Sequence, residues 1–520
     1  MKKRILFTTL ILTFSIVSPV IFCTYQHAQA SYNLYDGKLI LNGFVKEMWY
    51  IRTSMQDREK AFHDSMLDYA NTSALFEALY TLKEEGDLTV RLFGGVKAWW
   101  EKSPMFDDEL ERSIPHRARK DYVHPRSFDD DMLTEAYVHI IKGPWELRVG
   151  KQIVIWGQLD MQRVADVVNP LDLRKGVPGV DTWEEIKQGI WMIRLLYTSQ
   201  LPGNLLFEAI FNPGDFRNFQ LPYEGTHYGA YGHVANPFGV DYGITHWLFE
   251  KMRRDAPGWR LSKNYEFGLK VRGFFWNVDW TLMYYDSLSD SPVSNPRRVG
   301  DFSFKYIQAA IGGGVPEDWP DAKVFWYKRF RVVGGTAQTY IQPLWSTVWR
   351  MEWAYQIGVP LNKGTGGESG GVYAWTRRDI VAFAVAVSKY LDIPKFTQSR
   401  IATGRQMSIT LTYAWDKVLN HDHDLVLGET NHAYDHSVND QISLFLQQEM
   451  FNSTIWFTFN GYYHFHTGKW MAVPTFTYIF PGIHWRADLG YAAFGGAKAK
   501  HVSHASATRD SIILRLRYEF

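Results

Sequence analysis

The final eleven residues, Asp510 to Phe520, alternate with a period of two that few folds can use. Ile512, Leu514, Leu516, Tyr518 and Phe520 fall on one face of an extended strand, and Ser511, Ile513, Arg515, Arg517 and Glu519 on the other. An apolar face backed by a charged one suits a wall with lipid outside and water inside. An edge strand of a soluble sandwich can carry the same pattern, and the other end of the chain decides between them. Lys2, Lys3 and Arg4 precede an apolar run from Ile5 to Phe22, and Ala28-Gln29-Ala30 follows as a small-residue cleavage site. That is the order of a secretory signal peptide over residues 1–30, and no stop-transfer pattern follows it.

Cleavage after Ala30 would remove Cys23, the only cysteine, and with it disulfides, thiolate catalysis and zinc–cysteine sites. Phe22 is too bulky for the residue that a lipobox places before its cysteine, which argues against a lipid anchor. Of the 56 Lys and Arg, 53 would then face 55 Asp and Glu. A charge near −2 offers no bulk attraction to nucleic acid. The chain is 16% aromatic with 21 Trp, yet its mean hydropathy is −0.26. Past the signal no uninterrupted apolar run reaches the roughly 18 residues of a membrane helix. In a barrel wall every second residue faces water, so hydropathy averages away.

The alternation recurs along the chain. Strands are expected at Leu39–Arg52, Ala74–Lys83, Leu88–Trp100, Thr134–Lys142, Trp145–Trp156, Trp191–Tyr197, Leu205–Asn212, Tyr265–Phe275 and Val278–Tyr285. The later ones are Arg331–Tyr340, Thr347–Gln356, Ile380–Tyr390, Met407–Trp415, Ile442–Glu449, Ile455–His466, Met471–Ile479, Ile483–Tyr491 and the closing strand. The fold class is therefore all-β: an antiparallel transmembrane barrel of about 18 strands, or 16 without the least regular of them. One domain spans 31–520, with long loops outside and short turns on the periplasmic side. The ending resembles the closing strand of bacterial outer-membrane barrels, whose terminal aromatic is read by the barrel assembly machinery. Tyr518 and Phe520 are the assembly signal in that reading.

With the apolar face outward, the inward charges include Arg148, Arg194, Lys270 and Arg272 against Glu135, Glu146, Glu208, Glu266 and Glu352. Charge is costly against lipid and cheap in a wet lumen, and many of these groups should pair across strands. The slight basic excess supports at most a weak anion preference. Phe93, Trp99 and Trp156 also point inward. A barrel this wide holds an aqueous channel unless something fills it. The segment Leu159–Gly189 is the natural filler: long, mixed in charge, and carrying Val164, Val167, Val168 and Leu171, which suit an outer surface poorly. The alternative is an ordinary external loop. The candidate constriction combines Gln152, Asp160, Arg163, Asp166, Asn169, Asp172 and Arg174 with the wall residues Arg148, Arg194, Lys270 and Arg272.

Val149-Gly150-Lys151-Gln152, Trp156-Gly157-Gln158 and Val168-Asn169-Pro170-Leu171-Asp172 together resemble the signature of one family, the large bacterial outer-membrane proteins known as domain of unknown function 1302. Lys151 and Gln158 stand where the family pattern has Arg and Glu. The resemblance implies an outer-membrane barrel that works beside an inner-membrane exporter of hydrophobic cargo, and it supplies no catalytic residues.

His421, Asp422, His423 and Asp424, with His432, Asp435 and His436, form a loop whose groups are competent metal ligands, though no ligand frame organises them and a solvated loop is the favoured reading. Asp129, Asp130 and Asp131 could bridge divalent ions to lipopolysaccharide phosphates. Trp247, Leu248 and Met252 suggest a short helix within Ile244–Asp255. No nucleophile elbow or triad spacing appears, so no enzyme and no cofactor are expected. The leading expectation is a porin-like channel for small or amphipathic solutes, with outer-membrane lipids and lipopolysaccharide around it. An export or lipid-transfer barrel working with periplasmic and inner-membrane partners is the second, and a structural or adhesion barrel the third.

Overall fold

The computed structural model describes residues 31–53, 67–102, 124–125, 127–159, 162–172, 183–220, 255–295, 323–342, 346–364, 372–391, 407–426, 437–451, 453–466, 468–495 and 510–520. Eighteen long strands run through them: β1 (Leu39–Arg52), β2 (Leu67–Glu85), β3 (Leu88–Glu101), β4 (Leu133–Lys142), β5 (Trp145–Gln152), β6 (Ile190–Thr198), β7 (Leu206–Asn212), β8 (Glu266–Phe275) and β9 (Val278–Leu288). The others are β10 (Arg329–Ile341), β11 (Thr347–Gly364), β12 (Val372–Leu391), β13 (Met407–Val418), β14 (Val438–Met450), β15 (Ile455–His464), β16 (Trp470–Ile479), β17 (Trp485–Gly495) and β18 (Ser511–Glu519). Each pairs antiparallel with its chain neighbour, and β18 returns to β1 from Phe44↔Glu519 to Arg52↔Ser511. The ring is closed, so every strand of it has two partners and the sheet has no edge.

The alternation that suggests strands also orients them. At the β8–β9 hairpin Leu269 and Leu282 face outward, 54% and 50% exposed, whereas Lys270 lies inside against Glu208 at 3.1 Å. The turn residues Trp276 and Asn277 both have positive φ, 49° and 61°, as a two-residue hairpin of matching twist requires. In the closing strand Arg515 pairs with Asp488 of β17, and Arg517 reaches Glu185 at 3.1 Å. The interior is not uniformly polar. Met48, Tyr50, Tyr69, Met471, Val473, Phe494 and Ile513 form a buried cluster on strands β1, β2 and β16–β18.

All eighteen expected strands are present, and their limits differ for local reasons. β2, β11 and β12 run well beyond the expected Ala74, Gln356 and Ile380 boundaries. Trp145–Trp156 is not one strand: it ends at Gln152, two residues after Gly150. There φ is +141°, and a Cβ would strike the Ala136 carbonyl and lie 2.7 Å from Tyr137 Cα. That glycine lets Lys151 and Gln152 both turn inward, 0% and 1% exposed. Ile483 belongs to a turn before β17, shaped by Gly482 at φ +73°. Alternation of long and short connections also fails where β12 and β13 are joined at the short-turn end by residues 392–406, and where β15 and β16 are joined at the long-loop end by only 465–469. The leader 1–30 and nearly all of Ile244–Asp255 lie outside the described residues.

At the last residue, the Phe520 N–H donates to Gly43 O at 3.0 Å and the Gly43 N–H donates to Phe520 O at 2.9 Å. Its ring lies 6.2–6.5 Å from those of Tyr518, Phe76 and Tyr32, an aromatic patch of the kind that sits at a membrane–water interface. Deleting Phe520 removes the two bonds and the ring together. We expect the deletion to lower the yield of heat-modifiable barrel severalfold, read by gel mobility with and without boiling. Unchanged yield would remove the terminal aromatic from the assembly argument.

Candidate functional site

Past Gln152 the chain leaves the wall and runs inside the ring. Val154, Trp156, Leu159, Val164, Ala165 and Val168 pack against inward side chains of β6, β7 and β9–β13, among them Met192, Met283, Val332, Ala354, Ala384 and Ala414. The alanines make room for the larger side chains of the segment. Burying a Val, Leu or Trp stabilises by about 1.5–3 kcal/mol each as an upper figure, so these contacts supply most of the docking energy. The described parts of the segment thus lie in the lumen rather than outside as a loop.

Irregular backbone inside a barrel must still satisfy its donors, and acidic and amide side chains do this here. Glu352 of β11, fully buried, accepts the N–H groups of Gln158, of Leu159 and Ala165 at 2.9 Å each, and of Val164 at 3.3 Å. Arg350 on the same strand donates to Gln158 O at 3.1 Å. Asn169, also fully buried, accepts from the Val154 N–H at 2.7 Å and donates to Gln152 O at 3.0 Å and Gln188 O at 2.8 Å. Asp166 accepts from the Trp156 N–H at 3.3 Å and pairs with Lys187 at 2.5 Å. Arg163 donates to Asn169 O at 2.8 Å, and the Asp172 N–H donates to Ile186 O at 2.6 Å.

The far end of the segment is held on another wall. Glu185, on a single helical turn (Trp183–Ile186), pairs with Lys46 of β1 at 2.5 Å and Arg517 of β18 at 3.1 Å, and Lys97 of β3 donates to its carbonyl at 2.9 Å. Burial alone would raise the Glu185 carboxyl, but Lys46 and Lys97, with Arg517, hold it well below the usual carboxylate range. Counted through β18, β1 is eight strands from β11, close to half of the ring. The segment is therefore anchored on nearly opposite walls.

The wall charges are engaged in pairs. Arg148 and Arg194 face each other across β5–β6. Glu146 takes the first at 2.6 Å and also His139 at 2.9 Å; Glu208 takes the second at 2.8 Å and also Lys270. Glu208 accepts from Trp156 Nε1 at 2.9 Å as well, and Lys270 lies 5.4 Å over that ring. Arg272 sits one pleat nearer the turn and pairs with Asp279, apart from this group. Gln152 donates to Met192 O at 3.1 Å and serves the backbone. Asp160 and Arg174 lie outside the described residues. Sequence reasoning had not assigned Glu352 a docking role, and it missed Lys46 and Glu77. Lys46 and Glu352 find their partners 139 and about 190 residues away. Leu75 and Leu79 share the inward face with Glu77 and blur its alternation.

Two sequence-level suggestions about ions look different here. Asp129 and Asp130 pair with Arg217 at 3.0 and 3.3 Å; although burial acts to raise it, Asp129 is held low by Lys151 and Arg217. Asp422 takes Lys363 at 2.8 Å and also Arg378, and Asp424 takes Lys363 at 3.3 Å. These carboxylates already face cations. Among the described residues no three metal-ligating side chains gather at one point, and His432, Asp435 and His436 lie outside them.

Replacing Glu352 with Gln leaves several docked N–H groups short of an acceptor, at a cost of about 1–3 kcal/mol. We expect the amides of Leu159 and Ala165 to exchange hydrogen roughly ten- to a hundredfold faster in E352Q, a factor that follows from that cost; unchanged exchange would assign the docking to apolar packing alone. The Glu185 clamp has a pH signature. A carboxyl depressed in the folded state stabilises above its unfolded pKa, about 4.3, and loses that contribution only as pH falls through the lower folded value. Open-channel current noise should stay flat from neutral pH down to about 5 and rise only below the ordinary Glu value; a rise already near neutral pH would mean that other groups hold the segment.

No curated protein matches the chain. Among solved structures it is similar to OccAB1 of Acinetobacter baumannii, with 10% identity, 95% of this chain and 98% of that chain covered, and a TM-score of 0.47. It is also similar to OccK2 (OpdF) of Pseudomonas aeruginosa in complex with glucuronate, at 10% identity, 93% and 98% coverage and a TM-score of 0.45. A third is Salmonella typhi OmpF in complex with daunomycin, at 11% identity, 93% and 97% coverage and 0.41. The model of a protein family of unknown function, DUF1302, matches residues 53–520. With its closed ring of eighteen strands and that match over most of its length, the chain belongs to the DUF1302 family.

Proposed function

We propose that the protein is a porin-like channel of the bacterial outer membrane, through which small or amphipathic solutes pass by diffusion or weak binding. The observation that most supports this reading is the segment anchored on nearly opposite walls of a closed, charge-lined ring. A structural barrel has no need of a wet interior with a shaped obstruction. In this reading the chain is exported by its leader, the short turns face the periplasm, and the segment sets the narrowest section. The protein works without covalent chemistry. Arg148, Arg194, Lys270 and Arg272 each have a carboxylate partner, with Glu208 shared by Arg194 and Lys270, so at most a weak anion preference is expected.

Conductance is limited by the narrowest section of a pore. Replacing Val164–Asp172 with a short Gly-Ser link removes Ala165, Asp166, Val168 and Asn169 from the lumen and leaves every ladder of the ring intact. Single-channel conductance in planar bilayers should then rise severalfold, with circular dichroism as the folding control. A well-folded variant that conducts like the parent would end the constriction reading.

A further inference from the structure

Between strands β1–β5 and the stretch Glu185–Gly189 the segment leaves a cavity of about 140 Å³. Its sides differ in chemistry. Phe44, Leu75 and Trp99 form an apolar floor, with Phe44 and Trp99 buried. Glu77 and Glu135 line it as well, and they belong to one row of the sheet. Glu77 opposes Gly95 across β2–β3, and Gly95 opposes Glu135 across β3–β4. Strand spacing puts the two Cα atoms about 10 Å apart, and Gly95 places no side chain between them. A Cβ there would lie 2.6 Å from Thr134 Oγ1 and 3.7 Å from Glu77 Cγ, at a point where the β3–β4 register shifts.

The cations at the border are committed to other acceptors. Lys97 donates to Glu185 O, Lys187 pairs with Asp166, and Lys151 donates to Asp129 O. Glu135 accepts the Ile153 N–H at 2.8 Å. Glu77 has no hydrogen-bond or ion-pair partner among the described residues. Carboxylates withdrawn from bulk water are costly unless something positive meets them. We propose that this cavity binds amphipathic organic cations, with the ammonium donating to Glu77 and Glu135 and the hydrocarbon or aromatic body on Phe44, Leu75 and Trp99. An ammonium offers three donors and no acceptor, and it gains further from nearby aromatic faces. An apolar cavity of about 150 Å³ holds a benzene, so this one takes a single ring at most, with the ammonium arm at its carboxylate-lined border. The inference rests on the channel reading only for the claim that such a cation passes through.

The test uses the full-length barrel in detergent micelles and three probes by titration calorimetry: 2-phenylethylammonium, its anionic counterpart phenylacetate, and methylammonium. The first should bind, and the other two at least about tenfold more weakly, since each lacks one half of the recognition. The isosteric pair E77Q and E135Q, with heat modifiability as folding control, should weaken 2-phenylethylammonium by about tenfold or more, as expected for charge-assisted hydrogen bonds. In planar bilayers the same cation should reduce the current of the parent and not of the double variant. Equal binding of phenylacetate, equal binding of methylammonium, or unchanged binding by a folded E77Q/E135Q barrel overturns the site. Binding of 2-phenylethylammonium by a barrel that never conducts upholds the site and overturns the channel reading.

Discussion

Backbone that leaves a β-barrel wall and enters the lumen gives up its ladder, and every N–H it carries needs a new acceptor. The arrangement of this interior follows from that need. One carboxylate, Glu352, takes four of the orphaned donors, and Asn169, Asp166 and Glu135 take three more. Apolar burial supplies the larger share of the energy, but it is indifferent to small slides. The directed bonds fix where the segment lies, because each donor must meet its acceptor within a few tenths of an ångström.

Much of this could be read in the sequence, and the rest could not for definite reasons. Strand number, closure and facing follow from a period of two that tolerates no slip when one face meets lipid. The inward course of Leu159–Gly189 followed from Val164 and Val168, which needed cover. By contrast, the motif residues Gln152 and Asn169, which look like candidates for a pore, are buried and hold backbone, Gln152 bonding to Met192 O and Asn169 to Gln152 O and Gln188 O. The strand end at Gln152 was hidden because the run that follows, Ile153-Val154-Ile155-Trp156, is apolar and β-branched or aromatic, as a buried strand would be. Partners such as Lys46 and Glu185 come together only when the ring closes, so nothing local marks them.

Electrostatics in the lumen is organised by proximity along the wall. Arg148 and Arg194 stand opposite one another, an unfavourable pairing by itself, and Glu146 and Glu208 on neighbouring register positions resolve it. Breaking the largely buried Arg194–Glu208 pair leaves the other charge uncompensated, which costs far more than the pair contributes. Changing a single lumen charge would therefore disturb the fit of the wall as well as any field in the pore.

The two sides of the segment are unequal, and this bears on the route through the ring. Toward β9–β13 the contact is close: Ala354, Ala382, Ala384, Ala386 and Ala414 receive larger side chains of the segment in one continuous buried cluster. Interiors packed in this way leave few voids larger than a water molecule. Toward β18 and β1–β5 the contact is made instead by a few long side chains, Lys46, Lys97 and Arg517, which reach out to Glu185. Space remains beneath them. A strut fastened at both ends cannot swing clear as a unit, so under the proposed channel reading a solute that passes with the segment in place would use the looser side. That side is the one bordered by Glu77 and Glu135.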